Sequence, residues 1–206
     1  MRRFLILAHR VPVSGEFTLN DLAGGAGRMD EVARAVSTGF TLSNDLRRDT
    51  EVTVLFCAEP PPSARRIDLD GARLRYLNPD ERSTAALLKN ALVRSRTLDR
   101  DLEASPGLRV GPADPLPLLE EFLRRPGAVW LTETGSPLRA WPGAAGEIAA
   151  VVSDPYDPSE SERAAAVASG APFLAVGPRS LRTSQVIDVV HHELDAREAA
   201  AGQRPV

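Results

Sequence analysis

Cysteine and long apolar runs are scarce in this 206-residue sequence, and each scarcity excludes a class of protein. The single cysteine, Cys57, rules out a disulfide scaffold, and no cysteine–histidine cluster has zinc-site spacing, so we predict no metal. No apolar run approaches the ~20 residues of a transmembrane helix. The opening run Phe4–Ala8 is closed by His9 and is shorter than the ~7–15 apolar residues of a signal peptide. We therefore expect a cytoplasmic protein with no membrane partner.

Lysine is nearly absent as well, since Lys89 is the only lysine among 25 basic residues. The 28 acidic residues leave a net charge of −3, which argues against a protein that coats nucleic acid non-specifically. This slight acidity favours a small substrate or a small footprint on RNA. The first half of the chain nevertheless has a small basic excess, which is compatible with contact to phosphate groups.

Short apolar runs alternate with helical patterns along the chain, which is typical of a parallel α/β sheet. The predicted strands are Arg3–Ala8, Glu51–Cys57, Leu74–Leu77, Ala128–Thr132, Ile148–Ser153 and Phe173–Val176. The predicted helices are Met29–Ser43, Ser83–Ser95, Pro117–Arg124, Glu160–Ser169 and Ser184–Glu198. The other predicted features are a hairpin over Arg65–Arg75 that turns at Gly71, a stiff loop at Pro60-Pro61-Pro62, and turn-rich connections over 99–116 and 133–147. We predict a single α/β domain over residues 1–198 and a frayed tail over 199–206.

Three conspicuous features lack the context that their usual chemistry requires. The glycines of Gly24-Gly25-Ala26-Gly27 follow the first strand by about 15 residues, whereas a dinucleotide fingerprint needs them directly after the strand. His191 and His192 are adjacent within a helix, so their side chains point to different faces and cannot chelate one metal ion. Cys57 ends an apolar strand and is interpreted as a core residue rather than a nucleophile.

The turn 76–83 concentrates polar residues at the start of a predicted helix. Asn78-Pro79 favours an extended turn, and either Asp80 or Ser83 can cap the helix. Capping and the helix dipole account for the acids here. They do not account for asparagine, two acids and Arg82 together, and such a cluster can supply both an anion-binding group and a carboxylate base.

A second polar turn follows the apolar run Phe173–Val176. Gly177 has no Cβ and lets a ligand approach the backbone, while Pro178 stiffens the turn. Ligands bind at the carboxyl ends of parallel strands in α/β folds, and the strand ends at 130–135 and 151–154 would open onto the same edge. Three converging loops predict an apolar slot surrounded by backbone amides. The alternative is an ordinary strand-to-helix turn.

Six stretches together resemble one known family. They are Ala8-His9-Arg10, Ala26-Gly27-Arg28-Met29-Asp30, Leu42-Ser43-Asn44-Asp45-Leu46-Arg47, Arg75–Ser83, Gly177-Pro178-Arg179-Ser180-Leu181 and His191–Asp195. They run nearly end to end and resemble the archaeal-type tRNA pseudouridine-54 N1-methyltransferase family, in the SPOUT class of knotted methyltransferases. The resemblance implies a mostly parallel sheet flanked by helices, a C-terminal trefoil knot within about 128–198, and a homodimer with active sites at its interface.

The resemblance also implies S-adenosylmethionine (SAM) as the cofactor, bound in the knot. The matching cofactor-binding positions are Leu131, Ser153, Val176, Gly177, Pro178, Arg179, Ser180, Leu181 and Val186. Ser153 and Val186 depart from the glycine and cysteine that the family often has there. Because such sites depend mainly on backbone amides and apolar walls, we expect neither change to abolish binding.

The implied reaction methylates N1 of pseudouridine, whose N1 proton must leave. The candidate catalytic residues are the acids Asp80, Glu81 and Asp30, with Asp154 a weaker choice, and Arg82. The candidate substrate-binding residues are Asn78 and the arginines Arg10, Arg28 and Arg82, whose guanidinium groups can grip phosphate or stabilise a uracil anion. The predicted substrate is position 54 in the tRNA T-loop. The alternatives left open are another RNA, a small C-nucleoside or heterocycle, and a non-catalytic cofactor- or RNA-binding homologue.

Overall fold

The computed structural model of the protein describes residues 1–57, 64–143 and 147–202, so the predicted Pro60-Pro61-Pro62 loop lies outside the described residues. The strands are β1 Arg2–Ala8, β2 Thr50–Phe56, β3 Arg65–Asp70, β4 Leu102–Ser105, β5 Leu108–Pro112, β6 Ala128–Pro137, β7 Ile148–Ser153 and β8 Phe173–Ala175. The helices are α1 Met29–Phe40, α2 Glu81–Ser95, α3 Pro115–Leu123, α4 Glu160–Ser169 and α5 Thr183–Ala200, with a short 3-10 turn at Leu138–Ala140.

These strands form one sheet with the order β4-β5-β3-β2-β1-β7-β6-β8. Strand β1 runs parallel to both β2 and β7, and β6 runs parallel to both β7 and β8. The pairings β2–β3, β3–β5 and β4–β5 are antiparallel. The prediction of an α/β fold with a mostly parallel sheet is therefore confirmed.

Strand β1 is buried on both faces of the sheet, as its continuous apolar run predicts. Phe4 and Ile6 join the larger core cluster, which includes side chains of α1, α2 and α5. Leu5 and Leu7 join the smaller cluster, which includes side chains of α3 and α4. Each such side chain contributes about 1.5–3 kcal/mol on burial, so both ends of β1 are held firmly between two helical layers.

Two predictions about the middle of the chain are wrong. Leu74–Leu77 is not a strand, and Arg65–Arg75 is not a hairpin, because β3 has β2 on one side and β5 on the other and offers no free edge. Instead the chain turns after Asp70, whose backbone carbonyl accepts hydrogen bonds from the amides of Arg73 and Leu74. The hairpin is β4–β5, inside the segment 99–116 that was predicted as a connection.

Other element bounds also differ from the predictions. Strand β6 continues to Pro137, into the predicted connection 133–147. Helix α1 ends at Phe40 rather than Ser43. Helix α5 reaches Ala200, so the first two residues of the predicted tail are helical.

The long strand β6 passes β8 twice. Leu174 of β8 pairs with Leu131 and again with Ser136. A Cβ added at Gly135 would lie 2.5 Å from the backbone nitrogen and carbonyl carbon of Leu174. The segment 132–135 therefore crosses the backbone of β8 in a space that only glycine fits.

Candidate cofactor and substrate site

A cleft opens at the carboxyl ends of β7 and β8, beside β6. Its volume is about 1110 Å³, slightly above the ~300–1,000 Å³ that is usual for small-ligand sites. Its walls are residues 130–134 and 152–158, most of the segment 176–186, and two residues at the start of α1, Arg28 and Glu31. The predicted convergence of three strand-end loops on one edge is confirmed.

Eight of the nine predicted cofactor-binding residues line this cleft. They are Leu131, Ser153, Val176, Gly177, Arg179, Ser180, Leu181 and Val186. Pro178 is not among the lining residues. A Cβ added at Gly177 would meet no described atom within 4 Å, so the backbone there faces open space. The glycine thus leaves room for a ligand rather than for packing.

Side-chain hydrogen bonds tie the three loops together. The Thr183 hydroxyl donates to the carbonyl oxygen of Ser153 at 2.6 Å, and the Ser153 hydroxyl donates to the carbonyl oxygen of Tyr156 at 2.9 Å. The Ser180 hydroxyl donates to the carboxylate of Glu133. The first two contacts join the start of α5 to the end of β7 and its loop, and the third joins the loop after β8 to β6. The cleft is therefore preorganised before a ligand binds.

His9, at the end of β1, holds the loop after β7 through two buried acids. Its Nδ1 lies 2.8 Å from Asp154 Oδ1 and its Nε2 lies 3.2 Å from Glu162 Oε2. Burial alone would lower the pKa of His9, but the hydrogen bonds to both carboxylates outweigh it and raise the pKa to about 9. The imidazole is therefore protonated at neutral pH and donates from both nitrogens. The backbone amide of Tyr156 also donates to Asp154, and Arg10 stacks 3.9 Å from the centre of the Tyr156 ring.

A cluster of arginines surrounds Glu31 at the start of α1. Glu31 is 3% exposed. Its Oε1 lies 2.7 Å from Arg34 Nη1, 3.2 Å from Arg28 Nη2 and 3.9 Å from Arg182 Nε. Its Oε2 has no hydrogen-bond partner among the residues that the structure describes. Sequence patterns do not single out Glu31, because an acid in the first turn of a helix is explained by the helix dipole alone.

Arg28 is fixed by its own neighbours. It adopts a left-handed backbone conformation with φ of 69° and donates to both carboxylate oxygens of Asp30 at 2.9 Å. Burial would raise the pKa of Asp30, but these charged hydrogen bonds lower it below its usual value. A strained arginine in a bidentate pair at the rim of a cleft presents a rigid, oriented cation.

Comparison with known proteins decides the family. The model of a family described as "Putative SAM-dependent RNA methyltransferase" matches residues 1–199. The chain belongs to this family. It is 38% identical over 205 residues to the tRNA (pseudouridine(54)-N(1))-methyltransferase of Methanosarcina acetivorans, covering all of this chain and 96% of the relative. It is 38% identical over 197 residues to the enzyme of that name from Methanocella arvoryzae, covering 96% and 100%.

A solved structure supports the fold of this SAM-dependent methyltransferase. The crystal structure of Archaeoglobus fulgidus Nep1 bound to S-adenosylhomocysteine superposes with a TM-score of 0.61 at 13% identity. The match covers 96% of this chain and 98% of that chain. The two proteins therefore share an α/β architecture over their full length.

The donor groups of the cleft fit SAM. Apolar walls from Leu131, Val176 and Val186 suit the adenosine moiety, and the open backbone at Gly177 admits a ligand close to the chain. The Glu133 carboxylate lines the same cleft as the guanidinium groups of Arg179 and Arg182, so both charged ends of an amino acid moiety have partners of opposite sign.

The predicted turn 76–83 lies apart from the cleft of this methyltransferase. Asp80 caps α2 by accepting from the Ser83 amide at 2.8 Å, which lowers the pKa of Asp80. Glu81 pairs with Arg34 at 2.6 Å. Arg82 donates to the Leu19 carbonyl and the Asn20 side chain, and the Asn78 carbonyl accepts from Thr84. None of the four predicted residues in this turn lines the cleft, so the structure brings Arg28 to the site and leaves Asn78, Asp80, Glu81 and Arg82 outside it.

His191 and Cys57 have surroundings that point to packing rather than to catalysis. His191 is 3% exposed and lies between Arg2 and the Gly39 carbonyl. Burial, together with the positive charges of Arg47 and Arg2, lowers its pKa to about 3. Burial and the nearby Glu162 raise the pKa of Cys57 to about 12, so its thiol is not a nucleophile at neutral pH.

No described helix is long and apolar enough to cross a membrane, and no described group of His, Cys, Asp and Glu could hold a metal ion.

Proposed function

We propose that this methyltransferase transfers the methyl group of SAM to N1 of pseudouridine at position 54 of tRNA. The observation that carries the proposal is the convergence of eight predicted cofactor residues and Arg28 in one cleft. Full-length similarity to relatives bearing this activity in their names supports the substrate. A tRNA substrate also agrees with the predicted cytoplasmic location.

The residues that would hold SAM are the eight that line the cleft, together with Pro178, which fixes the turn after Gly177. SAM, when bound, supplies a methyl group that is already activated for transfer. The protein must then align the acceptor nitrogen and provide for its proton. The loop held by His9, Asp154 and Tyr156 keeps one wall of the cleft in place during that alignment.

Exposed arginines beside the cleft suit an RNA substrate. Arg10 and Arg179 are exposed and make no ion pair with any described residue, so their charges are available to phosphate groups. Arg28 is oriented by Asp30 and can stabilise negative charge that develops on the uracil ring. These three arginines lie beside one cleft, which agrees with a small RNA footprint on a chain of net charge −3.

We propose in addition that the C-terminal segment forms a trefoil knot of the SPOUT type and that the protein is a homodimer. The double passage of β6 along β8, with Gly135 against the Leu174 backbone, supports a threaded chain there. A dimer would let Asn78, Asp80, Glu81 and Arg82, none of which lines the cleft of its own chain, contact RNA bound at the second copy. Sedimentation of the purified protein at micromolar concentration tests the dimer.

Labelled SAM provides the test of the activity. The protein is incubated with two matched T-stem-loop RNAs, one with uridine and one with pseudouridine at position 54, and with free pseudouridine. Label in the pseudouridine RNA alone supports the proposal. Label in free pseudouridine alone indicates a small-molecule substrate. No label in any of them, with SAM binding demonstrated by calorimetry, indicates another RNA or a binding role and contradicts the proposal.

A further inference from the structure

The acids at the cleft differ in how many of their oxygen atoms are already used. Asp154 accepts from the His9 amide at 2.7 Å, from the His9 ring and from the Tyr156 amide, so both of its oxygens are engaged. Asp30, next to the cleft, has both oxygens bound by Arg28. Glu133 accepts from Ser180, and Asp157 is 94% exposed to solvent. Each of these acids is paired or fully hydrated.

Glu31 is the exception. Three buried side-chain polar atoms have no hydrogen-bond partner within the described part of the chain: Arg2 Nε, Thr50 Oγ1 and Glu31 Oε2. Arg2 Nε still faces the Asp49 carboxylate at 3.3 Å, and Thr50 begins β2 at the opposite end of the sheet. Only Glu31 lines the cleft. A buried acceptor without a donor costs about 1–3 kcal/mol or more, so Oε2 is poised to receive a donor from a ligand.

The guanidinium groups around Glu31 fix where that oxygen points. Arg34 and Arg28 donate to Oε1 and hold the carboxylate from one side. The side chain cannot rotate away without breaking both contacts, so Oε2 stays the oxygen of this cleft-lining residue that has no donor. Such a preorganised acceptor discriminates strongly between ligands with and without a matching N–H group.

We propose that Glu31 Oε2 accepts the N1–H group of the target pseudouridine and takes its proton during methyl transfer. The inference rests on the function proposed above and assigns its specificity. Pseudouridine presents N1–H where uridine presents C5–H, so uridine would leave the buried oxygen unpaired. Glu31 is thus the residue that selects pseudouridine over uridine.

The transfer step balances with Glu31 as proton acceptor. The proton leaves N1 for Oε2, and its bonding electrons remain on the nitrogen. N1 forms a bond to the donated methyl carbon while the carbon–sulfur bond breaks with its electrons on sulfur. A ring nitrogen that is gaining a methyl group becomes strongly acidic, so a carboxylate at hydrogen-bond distance can take the proton.

Glu31→Gln is the decisive variant, because the amide oxygen can still accept from Arg34 while the group can no longer take a proton. We expect kcat on the pseudouridine stem-loop to fall by ~10²-fold or more, the usual contribution of a positioned general base. The loss should shrink as the pH rises, since the substrate's own N1–H then ionises without help. The Kd for SAM and the melting temperature should stay unchanged. Glu121→Gln, on the exposed face of α3, is the matched control and should behave as wild type.

Binding gives a readout independent of turnover. With S-adenosylhomocysteine present, wild type should bind the pseudouridine stem-loop more tightly than the uridine stem-loop, and Glu31→Leu should lose that preference. Retained preference together with a kcat of Glu31→Gln within threefold of wild type overturns the inference but leaves the proposed function intact. A wild-type protein without transfer to pseudouridine RNA would instead overturn the proposed function. If the glutamine variant does not fold, the same preference measured with Glu31→Asp decides, since a shortened carboxylate must weaken it.

Discussion

The two ends of β1 carry charged networks that look alike in sequence and differ in structure. At the start of the strand, Arg2 is 2% exposed and faces Asp49, Asp195 and Glu198 within 3.3 Å. At the other end, His9 bridges Asp154 and Glu162. The first network packs under α5, whereas the second borders the cleft that Glu31, with its unpaired carboxylate oxygen, also lines.

Burial of charge does not by itself mark a functional site. Arg2 is buried and has its three acidic partners within the chain, so this network stabilises the fold. The cofactor end instead keeps an open backbone at Gly177 and an acceptor without a donor. Arg2 Nε and Thr50 Oγ1, at the start of β1 and β2, also lack hydrogen-bond partners, so what distinguishes the site is that its unpaired buried atom belongs to a residue lining a cleft.

The largest effect is expected from breaking the ion-pair network of Arg2 at the start of β1. Arg2→Ala removes the cation that Asp49, Asp195 and Glu198 share and leaves only Asp195 with another partner, Arg47, among the described residues, so we expect the free energy of unfolding to fall by about 3 kcal/mol. Arg3→Ala is the matched control, because Arg3 pairs with Glu51 and Glu147 at the surface and should cost at most about 1 kcal/mol. Chemical denaturation measures both. Equal losses for the two variants would show that burial of the Arg2 network contributes nothing.

A substitution in the cleft should have the opposite effect, since it should weaken ligand binding and leave stability nearly unchanged. Gly177→Val places a branched side chain in space that no described atom occupies, so the melting temperature should change little. The same side chain fills the room proposed for SAM, and we expect its Kd to rise by about 100-fold, equivalent to ~2.7 kcal/mol. Calorimetric titration with SAM measures this. An unchanged Kd would remove Gly177 from the cofactor site.

The two histidines should give opposite pH dependences of stability. The folded pKa of His9 is raised to about 9 from 6.5, so its stabilisation is complete below pH 6.5 and is lost between pH 6.5 and 9. The folded pKa of His191 is lowered to about 3, so its contribution is present above pH 6.5 and is lost as the pH falls toward 3. Each effect should amount to about 1–3 kcal/mol. His9→Gln should flatten the alkaline limb of the unfolding free energy and His191→Gln the acid limb; the same limb lost in both variants would contradict the assignment.

The edge of the sheet that carries the cleft could be predicted because strand ends and glycines are local signals, whereas the cofactor-binding positions follow from the family resemblance and stay predictions. Gly177 follows a continuous apolar run, and that pattern alone indicates a backbone turn at the edge of a parallel sheet. Glu31 could not be found in this way, since its importance depends on Arg28, Arg34 and Arg182 meeting around it in three dimensions. The wrong hairpin at Gly71 has the same origin, because the partner of β3 is β5, about 40 residues further along the chain.

The smallest effect is expected at Asp80, and it sharpens the contrast between a paired acid and an unpaired one. Asp80→Asn keeps the hydrogen bond to the Ser83 amide, since asparagine caps helices as well as aspartate does, and stability should change by less than about 0.5 kcal/mol. With Glu31 as the proton acceptor, kcat should stay within a few-fold of wild type in the labelled-SAM assay. A fall of 100-fold in a folded, SAM-binding Asp80→Asn protein would instead assign the base to the turn 76–83. That turn does not line the cleft of its own chain, so such a result would also require a second subunit that brings the turn to the cleft. The same variant would then separate dimer-dependent catalysis from catalysis within one chain.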